Sequence, residues 1–176
     1  MTSHEKSWLE ELDRILRSNK MRTGISPIIS RVHALLARKP EALMTWEPIA
    51  LELFGGALPA EIRSSWVFIL RAGADTGAER HPNSHQRMMS IQGTGDMRTE
   101  QETGWHSNFL TSDPAAALEQ RWISIPPNVW HRPVVGKDAD WVVVSFHTVP
   151  AEELIEERPS PSEVGGETKR MKYLDG

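Results

Sequence analysis

The stretch Gly73-Ala-Asp-Thr-Gly-Ala-Glu79-Arg-His81-Pro-Asn-Ser-His85-Gln86-Arg-Met-Met-Ser-Ile-Gln-Gly93 holds the pattern that decides the fold. Turn-forming residues stand at Gly73, Gly77, Pro82-Asn83 and Gly93, and the runs between them are too short for a helix. Glu79 and His81 are two apart, so on an extended chain they point to one face. Gln86–Gln92 reads as a strand, with Gln86, Met88 and Ser90 sharing a side.

The same grammar extends in both directions. Ser65–Arg71, Asp96–Glu102, Trp105–Leu110, Arg121–Ile125 and Asp140–Thr148 read as strands. They are separated by Gly95, Gly104, Asp113-Pro114, Pro126-Pro127 and Gly136. Many short strands with frequent turns predict an antiparallel sandwich or barrel. Before Gly56 the period is different. Trp8, Leu9, Leu12, Ile15 and Leu16 fall on one face of a helix over residues 7–18, opened by a Ser7/Glu10 capping box. A second helix is predicted from Ser26, with Pro27 in its first position, to Pro40. A third, shorter helical stretch is predicted over 41–54, interrupted near Pro48. The chain thus divides into a helical segment (1–56), a β domain (57–150) and an acidic, polar C-terminal tail (151–176). Residues from Arg158 onward carry little apolar content, so the tail is expected to be flexible or draped, and cuttable across 159–170.

Composition narrows the function. Among 176 residues there is no cysteine, which excludes disulfides, zinc–thiolate sites and thiol nucleophiles. Net charge is −4 and the cations form no stripe, so a nucleic-acid partner is not expected. No apolar run is long enough to span a bilayer, and the first residues lack a signal-peptide core. A cytoplasmic protein is the expectation. Seven tryptophans stand against one tyrosine and four phenylalanines, which predicts a Trp-rich core.

A second stretch, Ile125-Pro126-Pro127-Asn128-Val129-Trp130-His131-Arg132-Pro133, brings another imidazole after a turn. A carboxylate and imidazoles inside a small β domain are costly unless paired or bound to a metal. Glu79, His81 and His131 make two imidazoles and one carboxylate, the set suited to non-haem iron(II) with coordination positions left open. The competing reading pairs Glu79 with Arg80, Arg87 or Arg132 in a metal-free site.

These residues resemble the two motifs of the cupins. Gly73-x5-Glu79-x-His81-x4-Gln86-x6-Gly93 is similar to the first motif, Gly-x5-His-x-His-x4-Glu-x6-Gly, and Pro126-x-Asn128-x2-His131 to the second, Pro-x-Gly-x2-His. The resemblance implies a mainly β fold, an antiparallel jelly-roll cupin barrel with an α-helical N-terminal segment, and a divalent metal inside it. Glu79-Arg-His81-Pro-Asn-Ser-His85-Gln86 further resembles the metal-binding turn of cysteine dioxygenases, and Ser145-Phe146-His147 a Ser-x-His relay of that family. The residues depart from that pattern at Glu79, Gln86 and Val149, and only Arg63 offers itself as a substrate-binding arginine. By position the resemblance implies Glu79, His81, Gln86 and His131 as candidate metal ligands; the neutral Gln86 is a poor donor, which leaves Glu79, His81 and His131 as the expected ligands and His147, His85 and Gln86 as catalytic groups. It implies iron(II), or Zn, Ni or Mn, as cofactor, a small-molecule substrate, and a homodimer. The expected activity is an iron-dependent dioxygenase. The alternatives are a cupin isomerase or lyase with another metal or none, and a non-catalytic small-molecule-binding cupin.

Overall fold

The computed structural model describes residues 2–159 and 168–175. Two helices come first, α1 (Ser3–Leu16) and α2 (Asn19–Ala37), followed by strands β1 (Met44–Pro48) and β2 (Ser64–Leu70). Next are β3 (Gln86–Gln92), β4 (Thr94–Gln101), β5 (Gly104–His106) and β6 (Phe109–Thr111), then a single helical turn α3 (Leu118–Arg121). The chain closes with β7 (Trp122–Ile125), β8 (His131–Val135), β9 (Trp141–His147), β10 (Ile155–Pro159) and β11 (Thr168–Lys172).

All pairings are antiparallel. One sheet runs β1-β2-β9-β3-β7, and a second is built on β4, which pairs β5, β6 and β8. The expected barrel is not closed. Between the sheets the backbone is joined by single bridges, Asp75 to Val134 and Glu79 to His131, because residues 71–85 cross over as a run of turns rather than as a strand.

Both faces of the large sheet are covered, which is why its central strands are apolar without alternation. Trp66, Phe68, Leu70, Met88, Trp141 and Val143 face the space between the sheets. Val67, Ile69, Met89, Val142, Val144 and Phe146 face α1 and α2, whose stripe of Leu9, Leu12, Ile15, Met21, Ile25 and Val32 covers them. Trp66, Trp122 and Trp141 are fully buried. Two polar anchors fix the helices to the sheet. Asp13 accepts from the Arg121 guanidinium and from Trp122 Nε1 at 2.9 Å, and Glu5 accepts from Arg87 Nε at 2.6 Å and from Ser124 Oγ at 2.6 Å.

Several element boundaries differ from the sequence reading. Thr2 caps α1 and Ser18 caps α2, so both helices begin earlier than expected and Pro27 lies inside the second. The extra turns extend the buried stripe through Met21 and Ile25, and this burial outweighs the start signal at Ser26-Pro27. Met44–Pro48 is an edge strand, not helix, because β2 offers it a full ladder. The segment expected as a tail has strand structure at 155–159 and 168–172, with Tyr173 buried. Residues 160–167, where cleavage was also expected, lie outside the described residues.

Candidate metal centre

Glu79 and His131 face one another as a hydrogen-bonded antiparallel pair, each backbone N–H donating to the other's carbonyl at 2.8 Å. Side chains of such a pair lie on one face. His81, two residues beyond Glu79, joins them by strand parity. Asn128 makes this possible on the other strand. Its φ of 66° turns the chain in the left-handed region, which asparagine tolerates better than most residues, and its N–H donates to the His81 carbonyl at 3.1 Å.

One potential ligand atom from each of Glu79, His81 and His131 lies within 4.8 Å of the others, and all three residues are buried. The tautomers follow from the partners. His81 Nδ1 is 3.1 Å from the Ile155 carbonyl and His131 Nδ1 is 3.1 Å from the Val129 carbonyl. A carbonyl only accepts, so each Nδ1 donates and each neutral ring keeps its lone pair on Nε2. Among the described residues His131 Nε2 has no hydrogen-bond partner, and its 3.5 Å separation from Glu79 Oε1 exceeds a good hydrogen bond. Backbone-oriented imidazoles with free Nε2 atoms beside a carboxylate are the donor set a divalent cation takes.

Burial holds His81 down at about 4, and the neighbouring His131 ring adds to this. Burial opposes ionisation of Glu79, but His131, His81 and Arg158 outweigh it and hold the carboxyl below its ordinary range. The partner of Glu79 is none of the arginines considered from sequence. Arg80 is taken by Glu157, Arg87 by Glu5 and Arg132 by Asp75. Arg158 from β10 donates to Glu79 Oε2 at 2.6 Å, leaving Oε1 toward His131. Arg158 also donates to Glu156 at 2.5 Å. Burial, and then the facing Glu79, raise the Glu156 carboxyl.

His147 and Gln86 lie at the same chamber. His147 is 1 % exposed, its ring centroid 5.1 Å from that of His81. Ser84 Oγ donates to the His85 carbonyl at 3.3 Å and meets His147 Nδ1 at 3.2 Å, while Ser145 Oγ meets His147 Nε2 at 3.0 Å and accepts from Gln86 Nε2 at 3.2 Å. One direction satisfies the chain throughout: Gln86 to Ser145, Ser145 to His147, His147 to Ser84, Ser84 to the backbone. Burial, the largest cause, pushes the His147 imidazole well below its ordinary value, and the neighbouring His81 and His131 push it the same way. The other end of the Gln86 amide, Oε1, is buried without a partner among the described residues.

His85 is not brought to this chamber. It points to the opposite side, with Nε2 2.7 Å from Ser124 Oγ and 3.8 Å from Glu5. Arg63 is exposed. Arg158, Glu156 and Tyr173 were missed because they follow Pro150 in a stretch read as tail. The available signal was the sole tyrosine of the chain, flanked by Met171 and Leu174.

No protein-family model matches the sequence, and no curated protein matches it. Part of the backbone is similar to solved structures. A Lactobacillus farciminis oxalate decarboxylase–formate complex overlaps 61 % of this chain at 14 % identity and a TM-score of 0.47. CapF, a capsular polysaccharide assembling protein of Staphylococcus aureus, overlaps 73 % at 14 % identity and a TM-score of 0.48. An oxalate oxidase with the substrate analogue glycolate overlaps 61 % at 16 % identity and a TM-score of 0.45. This chain spans 29 %, 32 % and 52 % of those three proteins respectively.

Proposed function

We propose that the protein is a metal-dependent enzyme of cupin type acting on a small molecule, with Glu79, His81 and His131 as ligands of a divalent cation. The observation that carries this reading is the convergence of two backbone-oriented imidazoles and one carboxylate oxygen within 4.8 Å, with His131 Nε2 buried and unpartnered among the described residues. Two histidines and a carboxylate favour iron(II) and leave coordination positions open, which supports dioxygenase chemistry over a closed structural site. Iron or another redox-active ion bound there would supply the redox chemistry, and zinc would supply Lewis acidity alone.

The chain's own groups have separable tasks. Arg158 holds Glu79 by Oε2 and fixes how Oε1 is presented. The free Gln86 oxygen accepts a hydrogen bond from an N–H or O–H of the substrate. Ser145 and His147 form a buried path by which a proton moves away from the Gln86 end of the chamber. The apolar wall of Phe68, Leu70, Met88 and Val143 excludes water.

A second reading is favoured by the Glu79–Arg158 pair itself, which compensates the carboxylate without any metal. The protein would then be a metal-free binding module. Elemental analysis of protein purified without chelator or added metal, followed by oxygen uptake with candidate substrates, separates the two. Stoichiometric iron with oxygen uptake supports the dioxygenase, zinc or another redox-silent ion supports Lewis-acid chemistry, and absence of metal at every concentration tried overturns the metal reading.

A further inference from the structure

The chamber beside Glu79, His81 and Gln86 has a free volume of about 20 Å³, room for one water-sized body. An organic substrate does not fit. Directly outside lies an open cleft of about 670 Å³, and Tyr173 and Met44 line both spaces. Tyr173 is therefore part of the wall between them. Its ring packs against Trp46 at 5.6 Å, Trp66 at 5.4 Å and His81 at 6.0 Å between centroids.

The strand that leads into Tyr173, β11, is held far less firmly than the wall that Tyr173 completes. Among the described residues, β11 pairs only with β10, and its side chains are exposed apart from a half-buried Met171. Strand β10, by contrast, is tied down. Glu157 exchanges both backbone hydrogen bonds with Arg80, and the Ile155 carbonyl holds His81. Leu154, just before β10, is fully buried. Beyond β11, the backbone tie is Tyr173 N–H to the Leu154 carbonyl at 2.9 Å. Withdrawal of β11 with Tyr173 breaks no ladder of the two main sheets and leaves His81 and Glu79 oriented. Isolated two-stranded hairpins are marginal in water, and moving lids are drawn from such low-stability elements.

We infer that Tyr173 is the gate of the chamber: its side chain seals the space beside Glu79 and His81, and its outward movement with β11 admits substrate from the outer cleft. This rests on the chamber being the site of action, and the test is chosen to be independent of metal. Metal-free protein is treated with diethyl pyrocarbonate, which acylates accessible imidazole nitrogens and is too large for the closed chamber. Labelling of His81 and His131 is followed by peptide mass spectrometry, with exposed His4 and His106 as internal references. In the parent, His81 and His131 react far more slowly than the references. Tyr173→Ala speeds both by about tenfold or more, the factor that about 1.4 kcal/mol of lost closure gives, and leaves the references unchanged. Tyr173→Phe, which keeps the plug, reacts as the parent does. If Tyr173→Ala proves unfolded by circular dichroism, Tyr173→Leu takes its place and is expected to lie between parent and open behaviour. Equal labelling in the parent and the truncated variant, or parental labelling as fast as at His4 and His106, overturns the gate. Failure of the metal reading shows separately, in elemental analysis.

Discussion

Replacing Glu79 by glutamine removes one charge from the chamber and almost nothing of its shape. In metal-free protein the cost is small, because the amide oxygen still accepts from Arg158 and Arg158 keeps its 2.5 Å contact with Glu156. Weakening a hydrogen bond to a charged group gives about 1 kcal/mol. With metal present the arithmetic changes. An ion at about 100 times its dissociation constant stabilises the parent by about 2.7 kcal/mol, which raises Tm by about 5–10 °C in a chain of this size. Loss of an outer partner alone weakens metal sites by about 10–100-fold, so loss of the only anionic ligand costs at least the upper figure, and the same metal then stabilises the variant by about 0.4 kcal/mol. Differential scanning fluorimetry of parent and Glu79→Gln, with Fe²⁺ under nitrogen, Mn²⁺ and Zn²⁺, reads this contrast. A rise of equal size in both proteins, or none in the parent with any ion, would refute the assignment of Glu79 as a ligand. A loss of about 3 kcal/mol or more in the metal-free variant would instead mark Glu79 as half of a structural ion pair.

Other expectations follow from neighbouring geometry. His147→Ala should leave metal stoichiometry unchanged while turnover falls by about 10²-fold or more, checked by elemental analysis beside oxygen uptake. Metal-free protein should lose stability as pH falls from about 6.5 toward 4, because His81 is held down at about 4 when folded and protonates at its ordinary 6.5 when unfolded. That linkage is worth about 3 kcal/mol, is fully present above 6.5, and should flatten in His81→Gln when urea midpoints are compared across the window. Asp13→Ala leaves the Arg121 guanidinium and Trp122 Nε1 buried without their acceptor and should cost about 3–5 kcal/mol in urea unfolding. Gly95→Ala would drive a Cβ into the indole of the fully buried Trp141, with an expected loss of about 1–3 kcal/mol or more and a lowered soluble yield.

The parts of this molecule legible in its sequence are those determined by near neighbours. Gln86–Gln92 is a strand with the bounds its composition suggested, and within the predicted strand Asp140–Thr148 the residues Trp141, Val143, Ser145 and His147 share one face, as strand parity requires. Glu79 and His81 share a face for the same local reason. The remainder depended on partners far along the chain. Met44–Pro48 is a strand because residues 66–70 lie beside it, and Arg158 meets Glu79 across 79 positions. His85 shares a motif with His81 yet turns away, since Ser124 and Glu5 satisfy it from elements that local spacing does not announce. Tyr173 was hidden by the polar composition around it, which describes the exposed strand before it accurately and its buried ring not at all.

The place of β9 in the large sheet has a consequence for how the protein is made. It is buried along its whole length and sits between β2 and β3, which precede it in the chain by 49 residues or more. During synthesis β2 and β3 therefore emerge with open edges and wait for a strand not yet translated. The sheet is completed only when residues 141–147 clear the ribosome, so folding is late and governed by a distant closure. Through that interval the apolar Trp66–Leu70 edge is available to other chains. Nascent chains halted before Trp141 should accordingly need chaperones or aggregate, while chains released beyond Leu154 have every strand of the large sheet at hand.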